Sequence, residues 1–205
     1  DKTFYQHKGV NYKRIAMAMI NNIKSMNLKE GASTISQQLI KNTHLTSEKT
    51  FNRKIKEVAL TKKLEKQFSK EEILEQYLNI IYFGNNCYGI EKASNFYFSK
   101  PAHDLSLIEG ATLAGIIKSP AKYSPLNNPE NSLKRRNLVL KEMQNDDKIS
   151  LQEYMKAKEE PLILNLNTKI QNKLNSYSET AIEEAMKILG LPAKQIALSG
   201  YQLHT

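Results

Sequence analysis

Ser-x-x-Glu boxes constrain this chain more than any other feature. Ser69 and Glu72, Ser106 and Glu109, and Ser150 and Glu153 each place a serine three residues before a glutamate. At that spacing the hydroxyl and the carboxylate satisfy each other's backbone N–H groups, which a helix start otherwise leaves unpaired. After the first box, Ile73, Leu74, Tyr77, Leu78 and Ile81 recur on one helical face. That helix is expected to run to the turn signal Gly84-Asn85-Asn86. After the second, Leu107 to Ile117 is apolar almost all round, which predicts a buried central helix ended by Ser119-Pro120. Its Gly110, Ala111, Ala114 and Gly115 are small enough to let a neighbour approach. Pro120 to Pro129 reads as a loop, and Leu133 to Gln144 and Leu151 to Glu159 as amphipathic helices, the last closed by Pro161. The fold class is therefore mainly α. Asn165, Asn167, Asn172 and Asn175 mark a linker from residue 161 onward. Within it Ala181 to Leu189 reads as a short helix and Ile196 to Thr205 as an edge strand.

Charge narrows the partners. A net charge of +9 favours phosphate-bearing molecules but does not choose between nucleic acid, nucleotides, anionic lipid and pyrophosphates. Cys87 is the single cysteine, so no intrachain disulfide can form. The histidines at 7, 44, 103 and 204 lack metal-ligand spacing, and no metal site is expected. No run approaches the roughly 18 apolar residues of a membrane span. The chain opens in mid-pattern at Asp1-Lys2-Thr3-Phe4, which reads as a cut and not a natural terminus.

Four groups of residues could carry chemistry. In Gly31 to Asn42, helical spacing sets Ser33, Gln37 and Lys41 in one row, with Thr34 and Gln38 beside it. This is either a polar face built around a cation to hold an anion, or ordinary capping by Ser33 or Thr34. Arg53 and Glu57 are i, i+4 neighbours flanked by Lys56, and the stripe continues into Leu60 and Leu64. A carboxylate supported by cations suits acid–base work or guidance of a phosphate; the alternative is a surface ion pair. Arg135-Arg136 offers two forks for a phosphate, or a solvated helix face. Asp1, Phe4, His7 and Gly9 form a short terminal pattern. Lys49 lies one turn before Arg53, while Lys62, Lys63 and Lys66 read as solvating. Between Val10 and Glu30, Met17, Met19, Ile20, Ile23, Met26 and Leu28 accompany Lys24 and Lys29. Such a stripe can lie in a bilayer interface, or Ile15 to Ile23 can be a packed amphipathic helix.

Taken in order, these pieces resemble the peptidoglycan glycosyltransferase family, the module of bifunctional class A penicillin-binding proteins and of monofunctional transglycosylases. The residues that carry the resemblance are Asp1-x-x-Phe4-x-x-His7-x-Gly9, Gly31-x-Ser33-Thr34-x-x-Gln37-Gln38-x-x-Lys41-Asn42, Arg53-Lys54-x-x-Glu57, Lys70-x-x-Ile73-Leu74-Glu75-x-Tyr77-Leu78-Asn79 and Arg135-Arg136-x-x-Val139-Leu140. Asn95 to Lys100, Leu113 to Gly115 and Lys122 to Pro125 match as well. The resemblance covers about residues 1–160. The stretch 177–205 is similar to the linker entering the transpeptidase domain, which favours the bifunctional type.

The resemblance implies a lysozyme-like glycosyltransferase domain over 1–160 that polymerises lipid II and releases undecaprenyl pyrophosphate. It assigns Glu57 to departure of the pyrophosphate, directly or through a divalent cation (Mg or Mn) carried with the pyrophosphate. Lys41, Arg53, Lys56 and Lys49 would neutralise the phosphates. Ser33, Thr34, Gln37, Gln38 and Asn42 would hydrogen-bond sugars and phosphate oxygens. Tyr97 would line the donor site, and Arg135 and Arg136 would bind substrate. Asp1, Phe4, His7 and Gly9 would support the first motif, whose general-base Glu is expected one residue before Asp1, so residues 1–205 alone are expected to lack it. Implied partners are lipid II, the growing glycan, the outer face of the bacterial cell membrane, a transpeptidase domain on the same chain and phosphoglycolipids such as moenomycin, with no nucleic acid. The runner-up is a lysozyme-like hydrolase of peptidoglycan, which needs a carboxylate pair around a glycosidic bond.

Overall fold

The computed structural model describes residues 1–24, 31–45, 50–167, 184, 186–188 and 190. It divides into two compact units, residues 1–80 and 81–205. The structure is mainly helical, and among the described residues the one β feature is an isolated antiparallel bridge between Tyr82 and Tyr88. No helix among them is long and apolar enough to cross a membrane.

The first unit opens with an irregular segment, residues 1–10, followed by α1 (Tyr12–Lys24), α2 (Ile35–His44), α3 (Phe51–Gln67) and α4 (Lys70–Ile80). Asn11 caps α1, its side-chain oxygen accepting from Arg14 N at 2.9 Å. Thr50 caps α3 in the same way through Arg53 N. The predicted Ser69–Glu72 box closes in both directions at α4, at 2.7 and 3.2 Å. Phe4, Val10, Leu39, Ile40, Leu64, Ile73 and Tyr77 make the buried apolar part of this unit. Burial pushes the Tyr77 phenol up to about 12. On α1 the pattern is different: Ala18 is buried, but Met17, Met19 and Ile20 are more than half exposed.

The second unit begins with a tight excursion, residues 81–89, in which Gly84, Asn85 and Asn86 all take positive φ. Helix α4 therefore stops at Ile80 and not at the Gly84 turn, because Ile81 O is taken by Gly89 N at 3.0 Å. Gly84 sits at φ +84° with Tyr97 Oη 3.3 Å from where a Cβ would stand, so only glycine suits it. Then come α5 (Ile90–Phe98), a 3-10 turn at Ala102–Asp104, α6 (Leu107–Ile116), α7 (Pro120–Tyr123), α8 (Pro129–Asn145) and α9 (Leu151–Glu159). The Ser106–Glu109 and Ser150–Glu153 boxes are closed as well, at α6 and α9. Two boundaries differ from the sequence reading. The expected loop after Pro120 contains the one-turn α7, and α8 starts at Pro129, four residues before Leu133. In both, proline occupies the first turn, where its missing N–H is no loss.

Helices α6 and α8 pack closely at Gly115, whose added Cβ would meet Arg135 Cγ at 3.1 Å; Gly110 faces open space and serves no such approach. Ile108, Ala111, Leu140 and Ala157 form a buried cluster joined by Leu107, Val139, Ile149, Tyr154 and Leu162. Leu162 lies beyond α9, and the chain stays fastened there. Asn165 N and Asn167 N donate to Tyr97 O and Phe96 O at 2.9 and 3.0 Å, satisfying carbonyls at the C-terminus of α5, and Ser99 Oγ donates to Asn165 O. The segment placed at the start of the linker is thus packed on the second unit as far as Asn167. Residues 184 and 186–188 are helical, and Gly190 follows at φ +62°. The rest of the linker helix, the 196–205 edge strand, Lys49, Met26, Leu28 and Lys29 lie outside the described residues.

Candidate functional site

The N-terminus of α2 is built by a fourth capping box, with Thr34 rather than Ser33 as the N-cap of the two that the sequence offers. Thr34 is the N-cap: its hydroxyl accepts from Gln37 N at 3.2 Å, and Gln37 Oε1 accepts from Thr34 N at 3.1 Å. Thr34 Oγ1 also donates to Gly9 O at 2.5 Å, tying the helix start to the terminal segment. Thr-x-x-Gln is a legible box signature. Ser33 stands outside the helix and is exposed, so it does not continue the Gln37–Lys41 row.

Gln37 does two things at once. While Oε1 closes the box, its Nε2 donates to Glu57 Oε1 at 3.1 Å. Glu57 is 2% exposed, in the middle of α3. Lys54 Nζ pairs with the same carboxylate oxygen, and Arg53 Nη1 lies 3.7 Å from the other. Lys54 reaches outward as well, to Ser33 Oγ at 3.5 Å. The result is a buried carboxylate beneath a cationic, hydroxyl-bearing lip. Arg53 Nε is buried without a hydrogen-bond partner among the described residues, a donor left over for a ligand.

The predicted partners of Glu57 need one correction. Lys56 is exposed, and the cation on the carboxylate is Lys54. Helical geometry explains this: i, i+3 residues share a face, whereas adjacent residues diverge by about 100°. Thr34 and Gln37 are also corrected. At 0% and 1% exposure, with their polar atoms engaged inside the protein, they orient the site and do not offer hydrogen bonds to a sugar. Gln38 is partly buried and accepts from Tyr77 Oη at 3.3 Å. Lys41 is exposed one turn beyond Gln37, with Asn42 partly buried beside it.

The terminal segment forms a second polar assembly. Asp1 Oδ2 accepts from Ile35 N, the first amide of α2, at 3.1 Å, a position where the helix dipole favours an anion. His7 Nε2 lies 3.0 Å from the same oxygen, and Gly9 N donates to His7 Nδ1 at 3.1 Å. The proton of the neutral ring therefore sits on Nε2. Burial, then the Lys70 cation, holds the His7 pKa below its ordinary value. Arg14 Nη1 is 3.7 Å from Asp1 Oδ1. Phe4 is buried, and Gly9 has φ +87° with Thr61 Cγ2 2.9 Å from a would-be Cβ.

In the second unit the paired guanidiniums are split. Arg136 is 1% exposed and donates to the carbonyls of Lys158 and Glu160 at 3.0 and 2.9 Å and to Asn137 Oδ1. It is a C-terminal clamp for α9, not a phosphate fork. Arg135 is partly buried over the Tyr123 ring, 5.7 Å from its centroid. Tyr97 is fully buried; its hydroxyl donates to Phe83 O at 3.0 Å, accepts from Asn85 Nδ2 at 2.8 Å, and burial pushes its pKa up to about 12. It shapes the 81–89 turn and does not line an open donor site.

A divalent cation does not fit the carboxylate as a resident ligand. Both Glu57 oxygens face cationic side chains within 4 Å, and among the described residues no group of three acidic, His or Cys side chains is placed to hold a metal ion.

The sequence matches the transglycosylase family over residues 1–144. Penicillin-binding protein 1F of Bacillus subtilis is 40% identical over 204 residues, covering 99% of this chain and 29% of that protein. Penicillin-binding protein 1A of Aquifex aeolicus is 41% identical over 92% of this chain and 27% of its own length. Penicillin-binding protein 1A of Pseudomonas aeruginosa is 46% identical over 79% and 20%. The chain thus spans less than a third of the length of these curated relatives. The crystal structure of penicillin-binding protein 1A from Haemophilus influenzae is similar at TM-score 0.46 and 31% identity, over 65% of this chain and 17% of that one.

Proposed function

The chain belongs to the transglycosylase family, and from that premise we propose that it is a peptidoglycan glycosyltransferase that polymerises lipid II. In the reaction the 4-hydroxyl of one lipid II attacks the anomeric carbon of a lipid-linked glycan. The new C–O bond forms as the bond to the pyrophosphate breaks, and undecaprenyl pyrophosphate leaves with the electron pair. The hydroxyl proton goes to a general base, which the family resemblance places immediately before Asp1.

The observation that carries the reading is Glu57 buried under Lys54, Arg53 and Gln37. The leaving group is a dianion or more, and preorganised cations lower the barrier by meeting charge as it develops. Lys54, 44% exposed, Arg53 with its spare Nε, exposed Ser33 and exposed Lys41 supply that environment. Gln37 fixes the direction of the carboxylate, and Asp1 on the α2 N-terminus fixes the terminal segment. A hydrolase would need a second carboxylate facing Glu57 across a water; the groups found there are cations. Exposed Met17, Met19 and Ile20, with Lys13 and Arg14 on the same helix, support α1 lying against a lipid surface that presents the substrate. A transpeptidase domain following on the same chain is the reading the relatives' lengths support, and a divalent cation, if used, travels with the pyrophosphate.

The test is the full-length protein with lipid II. Glycan polymer and undecaprenyl pyrophosphate are expected, and Glu57→Gln is expected to abolish both while circular dichroism shows the fold intact. Cleavage of finished peptidoglycan without polymer overturns the reading in favour of the hydrolase.

A further inference from the structure

We propose that Glu65, outside every motif named above, is a positioning residue of the transfer reaction: it fastens the 1–9 segment and the first turn of α2 to the helix that carries Glu57. The inference rests on the function proposed above.

Glu65 lies two turns after Glu57 on α3, with its side chain 7% exposed. Its carboxylate accepts from the buried Ser36 hydroxyl, and Lys70 Nζ stands 2.7 Å from each of its oxygens. Lys70 in turn sits over the Phe4 ring, 4.6 Å from the centroid. Glu65 Cγ is 3.0 Å from where a Cβ on Gly9 would stand, so the terminal segment lies directly against this side chain. Ser36 and Gln37 are adjacent in the first turn of α2. Each bonds one buried carboxylate of α3: Ser36 takes Glu65 and Gln37 takes Glu57. Two such bonds, a turn pair apart, fix both the rotation and the register of α2 against α3. With one removed, the polar link between α2 and α3 is reduced to a single point.

A buried carboxylate is an expensive way to join helices. Well-packed apolar side chains commonly do as well or better for stability, and buried ionic groups are retained where they specify one arrangement. The arrangement specified here includes Asp1 on Ile35 N, Thr34 on Gly9 O, and Gln37 on Glu57. None of the groups that bond Glu65 stands on the cationic lip. Its loss should therefore change how fast bound substrate reacts and not how tightly it binds.

The experiment measures lipid II polymerisation by the full-length protein, normalised to folded protein by circular dichroism and melting. Glu65→Ala is expected to lower kcat about tenfold or more with KM within about twofold. Glu65→Gln, whose amide oxygen still accepts from Ser36, is expected to recover at least about a third of the rate. Ser36→Ala is expected to lose about three- to tenfold through the same link. Should Glu65→Ala fail to fold, the Gln and Ser36 variants decide. Wild-type kcat in Ser36→Ala, no recovery by Glu65→Gln over Glu65→Ala, or a raised KM at unchanged kcat overturns the proposal. Absence of polymerisation by the wild-type protein sinks the proposed function itself, a separable outcome.

Discussion

Replacing Gln37 by Met tests whether the α2 polar row orients the site or touches substrate. The side chains are close in volume, so the cavity cost is small. What is lost is the 3.1 Å bond to Thr34 N and the 3.1 Å bond to Glu57 Oε1. The first is a capping-box bond worth about 1 kcal/mol. The second involves a carboxylate and is worth roughly 1.5–3 kcal/mol. The expected destabilisation is about 2.5–4 kcal/mol, and for 150–250 residues each kcal/mol shifts melting by about 2–4 °C. Glu57 keeps Lys54 and Arg53 but loses the one neutral group that aims it. We expect kcat for lipid II polymerisation to fall about 10- to 100-fold, since 1.4 kcal/mol is a factor of ten. KM should stay within about twofold, because Gln37 is 1% exposed and cannot reach the donor. The assay is glycan chain formation by full-length protein across a lipid II titration, with melting in parallel. A raised KM at unchanged kcat would refute the reasoning, for it would put the amide on the substrate.

Two further outcomes follow from the geometry. Arg136→Met should remove the bonds to the carbonyls of Lys158 and Glu160 and cost about 1–3 kcal/mol, read as lower melting and faster proteolysis near residue 160, with KM for lipid II unchanged; a raised KM at wild-type melting would return Arg136 to the phosphate. The lowered His7 pKa means the unfolded chain binds more protons below about pH 6.5, so this contribution to stability is complete above that pH and is lost as pH falls towards the folded value. His7→Gln should flatten the decline of melting temperature as pH falls below about 6.5, and an unchanged slope would remove His7 as its cause.

Much of the helical framework was legible because its signals are local. The Ser-x-x-Glu boxes at Ser69, Ser106 and Ser150, the Leu151–Glu159 helix and the Arg53–Glu57 pair all involve groups within four residues, and all are present. Boundaries set by distant partners were not. Helix α4 ends early because Ile81 is drawn to Gly89, and the 161–167 segment is held by the end of α5. Within the site, Glu57 and its i−4 arginine are visible in the sequence, and Lys54, at i−3, shares the same helical face. Gln37, Thr34, Tyr97 and Arg136 read as ligands of a substrate because polar side chains in such patterns can serve either a substrate or the fold.

That the chain is helical, where most of its helices start and, through the order of its motifs, the family to which it belongs can be read from the residues alone. Which of those polar groups remain for a ligand depends on how the helices pack. A side chain's hydrogen bonds are claimed by whatever packing brings near it, and here the partners lie far away in the chain: Gly9 for Thr34, Glu57 for Gln37, Glu65 for Ser36, Glu160 for Arg136. Most polar groups that become buried are satisfied internally; exposed Ser33 and Lys41, the 44% exposed side chain of Lys54 and the spare Nε of Arg53 stay open to a ligand.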